Sequence, residues 1–158
     1  MSQISEHISY TEATFSLTAK RLGIDNTPNP DQLQNMKELA ENVFEPLREA
    51  LGNNPIHISS FFRCQKLNKV VGGAINSQHV ALNGSAMDIQ NESNPSNKEI
   101  FDYIKWGMEF DQLICEFPDK DGNPSWVHVS WNAGNNRKNI LVSKKVNGRT
   151  IYENYNNT

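Results

Sequence analysis

Four histidines occur in the chain, His7, His57, His79 and His128, and two of them stand where chemistry could be done. His79 lies in Ser77-Gln-His-Val-Ala-Leu-Asn-Gly-Ser-Ala-Met-Asp88, a polar, glycine-containing loop that feeds a short strand pattern ending near Gln90. His128 lies in Ser125-Trp-Val-His-Val-Ser-Trp131, where alternation puts Trp126 and Ser130 on its own face. His79, Asp88 and His128 could supply two imidazoles and a carboxylate to a catalytic zinc, which takes three protein ligands and keeps a fourth position for water. Spacing alone leaves the ordinary alternative open, in which the histidine is bonded within a sheet and the aspartate makes a turn or a cap. Arg63 follows a short strand pattern and offers a permanent charge with a fork of donors, suited to a carboxylate or an oxyanion. A surface ion pair is the other use of such a residue.

Glu116 ends the apolar stretch Gln112-Leu-Ile-Cys-Glu116. Paired with Trp126–Trp131 across the turn-rich Asp119-Lys-Asp-Gly-Asn-Pro124, it would lie opposite or diagonal to His128, within reach to take a proton from a water. Unpaired, it is a solvated strand-end carboxylate. Asp111 and Glu109 rank below it. His7 and His57 read as structural. Cys64 and Cys115 adjoin Arg63 and Glu116, where a thiolate ligand is conceivable, although buried free thiols are the commoner case.

The elements that must position these groups can be read from caps and periodicity. Ser9 or Thr11 starts a helix reaching Leu22 and stopped by Gly23. Asn29 caps a second helix with Pro30 at its first position, and Leu33, Met36, Leu39, Ala40, Val43, Phe44 and Leu47 form its apolar stripe; Pro46 should bend it. Strands are expected at Ile56–Ser60, Ala86–Gln90, Gln112–Phe117 and Trp126–Trp131. Ser96 starts a helix ended by Gly107, and Asn147-Gly148 joins a hairpin of Ile140–Val146 and Arg149–Tyr152. Helices thus occupy about 9–52 and a strand-rich part about 55–153, with an Asn-rich tail, 154–158, expected to fray. Short connections in the second half favour antiparallel pairing. The fold class expected is α+β, a small antiparallel sheet backed by helices.

At 158 residues, with 15 basic and 18 acidic side chains and a net charge of −3, the chain fits one domain over 1–158 and lacks the basic surplus of a dedicated nucleic-acid binder. No apolar run is long enough for a membrane span, and Met1–Tyr10 has neither the basic start nor the apolar stretch of a secretory signal. The expectation is therefore a monomer made in the cytoplasm. Two cysteines make no disulfide framework.

Taken in order, Leu22-Gly-Ile-Asp-Asn-Thr-Pro28, Leu47-Arg-Glu-Ala-Leu51, Arg63-Cys64, Val71-Gly-Gly73, Ser77-Gln-His79, Gly84-Ser-Ala-Met-Asp88 and Trp126-Val-His-Val-Ser130 closely resemble the zinc D-Ala-D-Ala carboxypeptidase family, in its short single-domain branch of phages and bacteria. The resemblance covers about residues 4 to 132 and implies the hedgehog/DD-peptidase fold with one Zn2+ in its cleft. It makes His79, Asp88 and His128 the metal ligands, and Arg63 the arginine facing the metal that holds substrate or transition-state oxygen. Ser77 matches a serine shaping the binding loop. Independently of the resemblance, Trp126 and Trp131 could line a substrate groove, although an aromatic on a strand is more often core. Relatives commonly place six residues between the first histidine and the aspartate, whereas eight, Val80 to Met87, stand here. Several relatives carry an acidic residue where this chain has Ser125. A similar Asp-Gln-Leu-Ile-x-Glu setting in the short branch supports Glu116 as the base instead. The function implied is hydrolysis of peptide bonds in peptidoglycan stem peptides or precursors, by a carboxypeptidase or a related endopeptidase. Without a leader, such an enzyme fits a phage lysin freed by lysis, a virion component or a cytoplasmic enzyme. The alternative is a wall-binding or phage structural module that grips without cutting.

Overall fold

The computed structural model describes residues 2–156. A small hairpin of β1 (Gln3–Ser5) and β2 (Ile8–Ser9) opens the chain and tucks Ile4 and Ile8 into the core. The single helix expected up to Leu22 is two: α1 (Tyr10–Thr14) and α2 (Leu17–Leu22). The break has a local cause. Ser9 accepts from the Glu12 amide and Ser16 from the Ala19 amide, so each serine satisfies orphan donors and begins its own helix. Gly23 closes α2 in the left-handed region, at φ +64°.

Asn29 caps α3 (Pro30–Leu39) in a reciprocal box with Gln32. A π-helical turn, Ala40–Phe44, then leads into α4 (Glu45–Ala50). Pro46 has no N–H and its ring would crowd a carbonyl one turn back, and the widened turn sits where that strain would fall. The apolar stripe survives this adjustment: Met36, Leu39, Ala40, Val43, Phe44 and Leu47 are all buried.

After β3 (His57–Ser60), Cys64 caps α5 (Gln65–Val70), its Sγ accepting from the Leu67 amide. A 3-10 turn, Gln78–Val80, precedes β4 (Ser85–Gln90). Helix α6 (Asn97–Gly107) carries a Ser96–Glu99 capping box, and β5 (Gln112–Glu116), β6 (Trp126–Trp131), β7 (Asn139–Val146) and β8 (Arg149–Asn154) complete the chain. The larger sheet has the order β3-β4-β6-β5-β7-β8. Its pairs are antiparallel except β5 with β7, so the sheet is mixed rather than wholly antiparallel. The connection 132–138 does reverse direction but steps across β5 instead of pairing β7 with β6. It is held there by amides of Lys138 and Asn139 on the carbonyls of Phe110 and Asp111.

Period-two alternation divides the sheet's faces. Met87, Ile89, Leu113, Cys115, Val127 and Val129 are fully buried and join the core formed with the N-terminal helices and α6. Asp88, Glu116, Trp126 and His128 belong to the other face. At the tail, Asn154 closes β8 and the Tyr155 ring packs 5.0 Å from that of Phe101. The last two residues of the expected frayed segment, and Met1 at the start, lie outside the described residues. Among the described residues no helix is long and apolar enough to cross a membrane.

One glycine controls the approach to β4. Gly84 has φ +73°, and a Cβ there would stand 2.1 Å from the Trp131 carbonyl oxygen. Gly84→Ala should therefore lower stability by about 2 kcal/mol or more, combining left-handed strain with a backbone clash. A urea midpoint unchanged from the natural protein would contradict this.

Candidate functional site

Asp88 on β4 and His128 on β6 are direct cross-strand partners, so the ladder that builds the sheet also brings their side chains together. His128 Nδ1 lies 3.0 Å from Asp88 Oδ1. His79 arrives from the 3-10 turn, with Nε2 3.4 Å from Asp88 Oδ2 and its ring edge-on to that of His128 at 5.2 Å. One donor atom from each of the three residues falls within 4.8 Å of the others, and no further such group occurs among the described residues.

The chain leaving β3 grips His79 from two sides. The Arg63 amide donates to the His79 carbonyl at 3.0 Å, and the Phe61 carbonyl, 2.7 Å from His79 Nδ1, fixes a proton on that nitrogen. Burial holds His79 below the ordinary histidine value despite the opposing pull of Asp88, which favours the neutral ring, and the bond from Nδ1 to Phe61 leaves Nε2 as the nitrogen facing Asp88. Burial works against ionised Asp88 too, yet the two histidines outweigh it and hold the carboxyl far below the usual carboxylate range. A neutral imidazole oriented by a carbonyl and an ionised carboxylate are the forms in which these residues ligate a metal.

The extra residues between His79 and Asp88 do not swing out as a free loop. Gln32 and Asn35 of α3 donate to the carbonyls of Val80 and Ala81, burying both residues and leaving only Leu82 and Asn83 exposed. Ser77 caps the turn, its hydroxyl accepting from the His79 amide at 3.3 Å.

Ser77, His79, Asp88 and His128 line a cleft of about 840 Å³, together with Arg63, Glu116 and Trp126. Glu116 pairs with Trp126 and so stands diagonal to His128. It is only 6% exposed, and burial pushes its carboxyl above the ordinary glutamate value, against hydrogen bonds from Ser143 and Trp126. Its Oε1 is buried with no partner. Arg63 donates from Nη1 to Asn68 at 3.2 Å, while its Nε is likewise buried without a partner. Burial lowers the Arg63 guanidinium from its usual value and the charge of Asp88 partly restores it. The fit here is close: a Cβ on Gly73 would stand 2.0 Å from Asn68 Oδ1 and 2.9 Å from Arg63 Nη1.

A family model described as Peptidase M15 matches the chain over residues 6–130. The chain belongs to the peptidase M15 family. This M15 peptidase has its metal-capable triad inside the matched region, and membership supports a zinc-dependent metallopeptidase. Among curated proteins, none matches the chain.

The lesser candidates fall away from the triad in the structure of this M15 peptidase. Asp111 is buried at the cleft's edge and fully engaged, accepting from Arg137 Nε at 2.7 Å, Nη2 at 3.2 Å and the backbone amide, and from Gln78. Those partners keep its carboxyl below the ordinary aspartate value against burial. Glu109 is exposed and outside the cleft. His7 is bonded to Glu45 at 2.7 Å, and His57 is exposed on the edge strand β3. Cys64 is a helix cap, and Cys115 sits in the core with its thiol pushed up to about 11 by burial. The cleft also contains residues that the sequence did not single out, Leu141 and Tyr152 of the C-terminal hairpin and Arg137. The Asn-Gly turn revealed the hairpin, but no local signal announced that β7 would pair with β5 and bring it to the cleft.

Proposed function

We propose that the protein hydrolyses a peptide bond in peptidoglycan stem peptides or their precursors, as a D-Ala-D-Ala carboxypeptidase or a related endopeptidase. The observation that carries this reading is a buried, unpartnered carboxylate oxygen in the same cleft as two histidines and an aspartate gathered for one cation. His79, Asp88 and His128 would hold one zinc ion. When bound, zinc supplies Lewis acidity toward the scissile carbonyl and lowers the pKa of a water toward about 7.

The remaining steps belong to the chain. Glu116 accepts the proton of the attacking water on its carboxylate and delivers it to the amine that leaves. A carboxyl raised by burial suits both halves of that transfer better than an ordinary exposed one, because proton donors and acceptors work best near the operating pH. Ser143 and Trp126 steady the group from the two flanking strands. Arg63 offers the free Nε–H of a desolvated guanidinium to negative charge on the substrate. Trp126 and Ser77 form parts of the wall against which the peptide lies. A module that only grips the wall would have no use for a buried acid beside the donor triad.

Digestion of defined muropeptides followed by mass spectrometry tests the reading. The expected result is release of a terminal residue or peptide fragment, abolished by chelation and restored by zinc. Full activity after complete metal removal, or binding without any cleavage in zinc-loaded protein, would overturn it.

A further inference from the structure

The register of the sheet places four side chains in one row across four strands. Trp126 on β6 is opposite Glu116 on β5, Glu116 is opposite Ser143 on β7, and Ser143 is opposite Tyr152 on β8. Cross-strand partners share a face, so the row runs from the middle of the sheet to its edge along the face that bears His128 and Asp88. The inner three are accounted for. Ser143 is fully buried, accepts from the Phe117 amide and bonds Glu116, and Trp126 bonds Glu116 from the other side. Tyr152 is different, because it is 55% exposed, lies on the edge strand, and nevertheless lines the cleft.

A packing role explains this poorly. A ring more than half in water adds little to a core, and the hairpin already gains its pairing from β5. The surroundings of the phenol are those of the reacting centre: the charges of Glu116, Asp88 and Arg63 all act on it. Arg63 and Tyr152 come from distant parts of the chain and line the same cleft as the triad. An amide or carboxylate held there presents acceptor oxygens, and a neutral phenol is a donor for them.

We propose that Tyr152 is a substrate-contacting residue, its hydroxyl donating a hydrogen bond to a carbonyl or carboxylate oxygen of the bound peptide. It therefore helps determine which peptides are cut, from a hairpin that lies beyond the family-matched residues 6–130. The assignment rests on the peptidase reading above.

Tyr152→Phe removes the hydroxyl and keeps the ring. In zinc-loaded protein it should lower kcat/KM on a defined stem peptide by about 10- to 100-fold, with melting temperature and bound zinc as in the natural protein. A second substrate, the same peptide with its terminal carboxylate amidated, locates the contact. If the carboxylate is the acceptor, amidation costs the natural protein more than it costs Tyr152→Phe and the loss is chiefly in KM. If the scissile carbonyl is the acceptor, the variant loses equally on both peptides and chiefly in kcat. Either pattern supports the assignment. Unchanged kcat and KM on both peptides in Tyr152→Phe would overturn it while leaving the peptidase reading intact. Natural protein that cuts neither peptide with zinc restored would overturn that reading, and this assignment with it.

Discussion

Glu116→Gln should lower kcat by about 10²- to 10⁴-fold, the range that positioned acid–base groups contribute. Metal content should stay equal to that of the natural protein, because Glu116 is outside the triad. The substitution is nearly isosteric, so the Ser143 and Trp126 contacts have the same space to work in. Stability should hold or rise slightly, since a buried carboxylate with an unpartnered oxygen carries a desolvation cost that the neutral amide largely avoids. Measuring turnover, bound metal and melting temperature on one preparation separates a lost base from a lost fold. An unchanged kcat would move proton transfer to another group, and Asp111 is poorly placed to inherit it, tied as it is to Arg137 and Gln78.

His128→Ala should remove both metal retention and activity. The histidine is one of three donors and the direct cross-strand partner of a second, so its loss leaves Asp88 with His79 alone. Zinc held by that preformed set of ligands would stabilise the native chain, so on the proposed reading the natural protein should gain about 2.7 kcal/mol of apparent stability at a zinc concentration 100 times its Kd. The variant should gain none. His57→Ala, on an exposed edge strand, should keep the zinc-dependent gain. A zinc-induced rise in melting temperature that survives in His128→Ala would show that the ion sits elsewhere.

What the residues alone disclose, and what they leave hidden, follows a physical dividing line. Caps and alternation are local, so Asn29, Ser96, the strand of His128 and the Asn147-Gly148 hairpin were all visible in the residues themselves. The proximity of Asp88 to His128 depends on strand register, and it was the motif resemblance rather than any periodicity that anticipated it. A hairpin of β5 and β6 puts Glu116 opposite or diagonal to His128, and only the register decides for the diagonal. Three things stayed hidden. The break at Ser16 required weighing two competing caps, and the π-helical turn before Pro46 required knowing that packing would keep the apolar stripe continuous. The parallel pairing of β5 with β7 is decided by a loop stepping over a strand, secured by Asp111 and Arg137 at contacts 26 residues apart in sequence. Tyr152 was missed for that last reason: its relation to Glu116 is two pairings removed.

The triad's sheet residues and Tyr152 occupy unequal positions in the sheet. Asp88 and His128 stand on interior strands, each flanked on both sides, whereas β8 is the outermost strand and has only one neighbour. Exchanges at the margin can thus be tolerated that would be ruinous at the centre. A lineage could retune its diet by rewriting one hairpin while the hydrolytic machinery beneath stayed as it was, and an engineer could graft new tips at Asn147-Gly148 on the same logic.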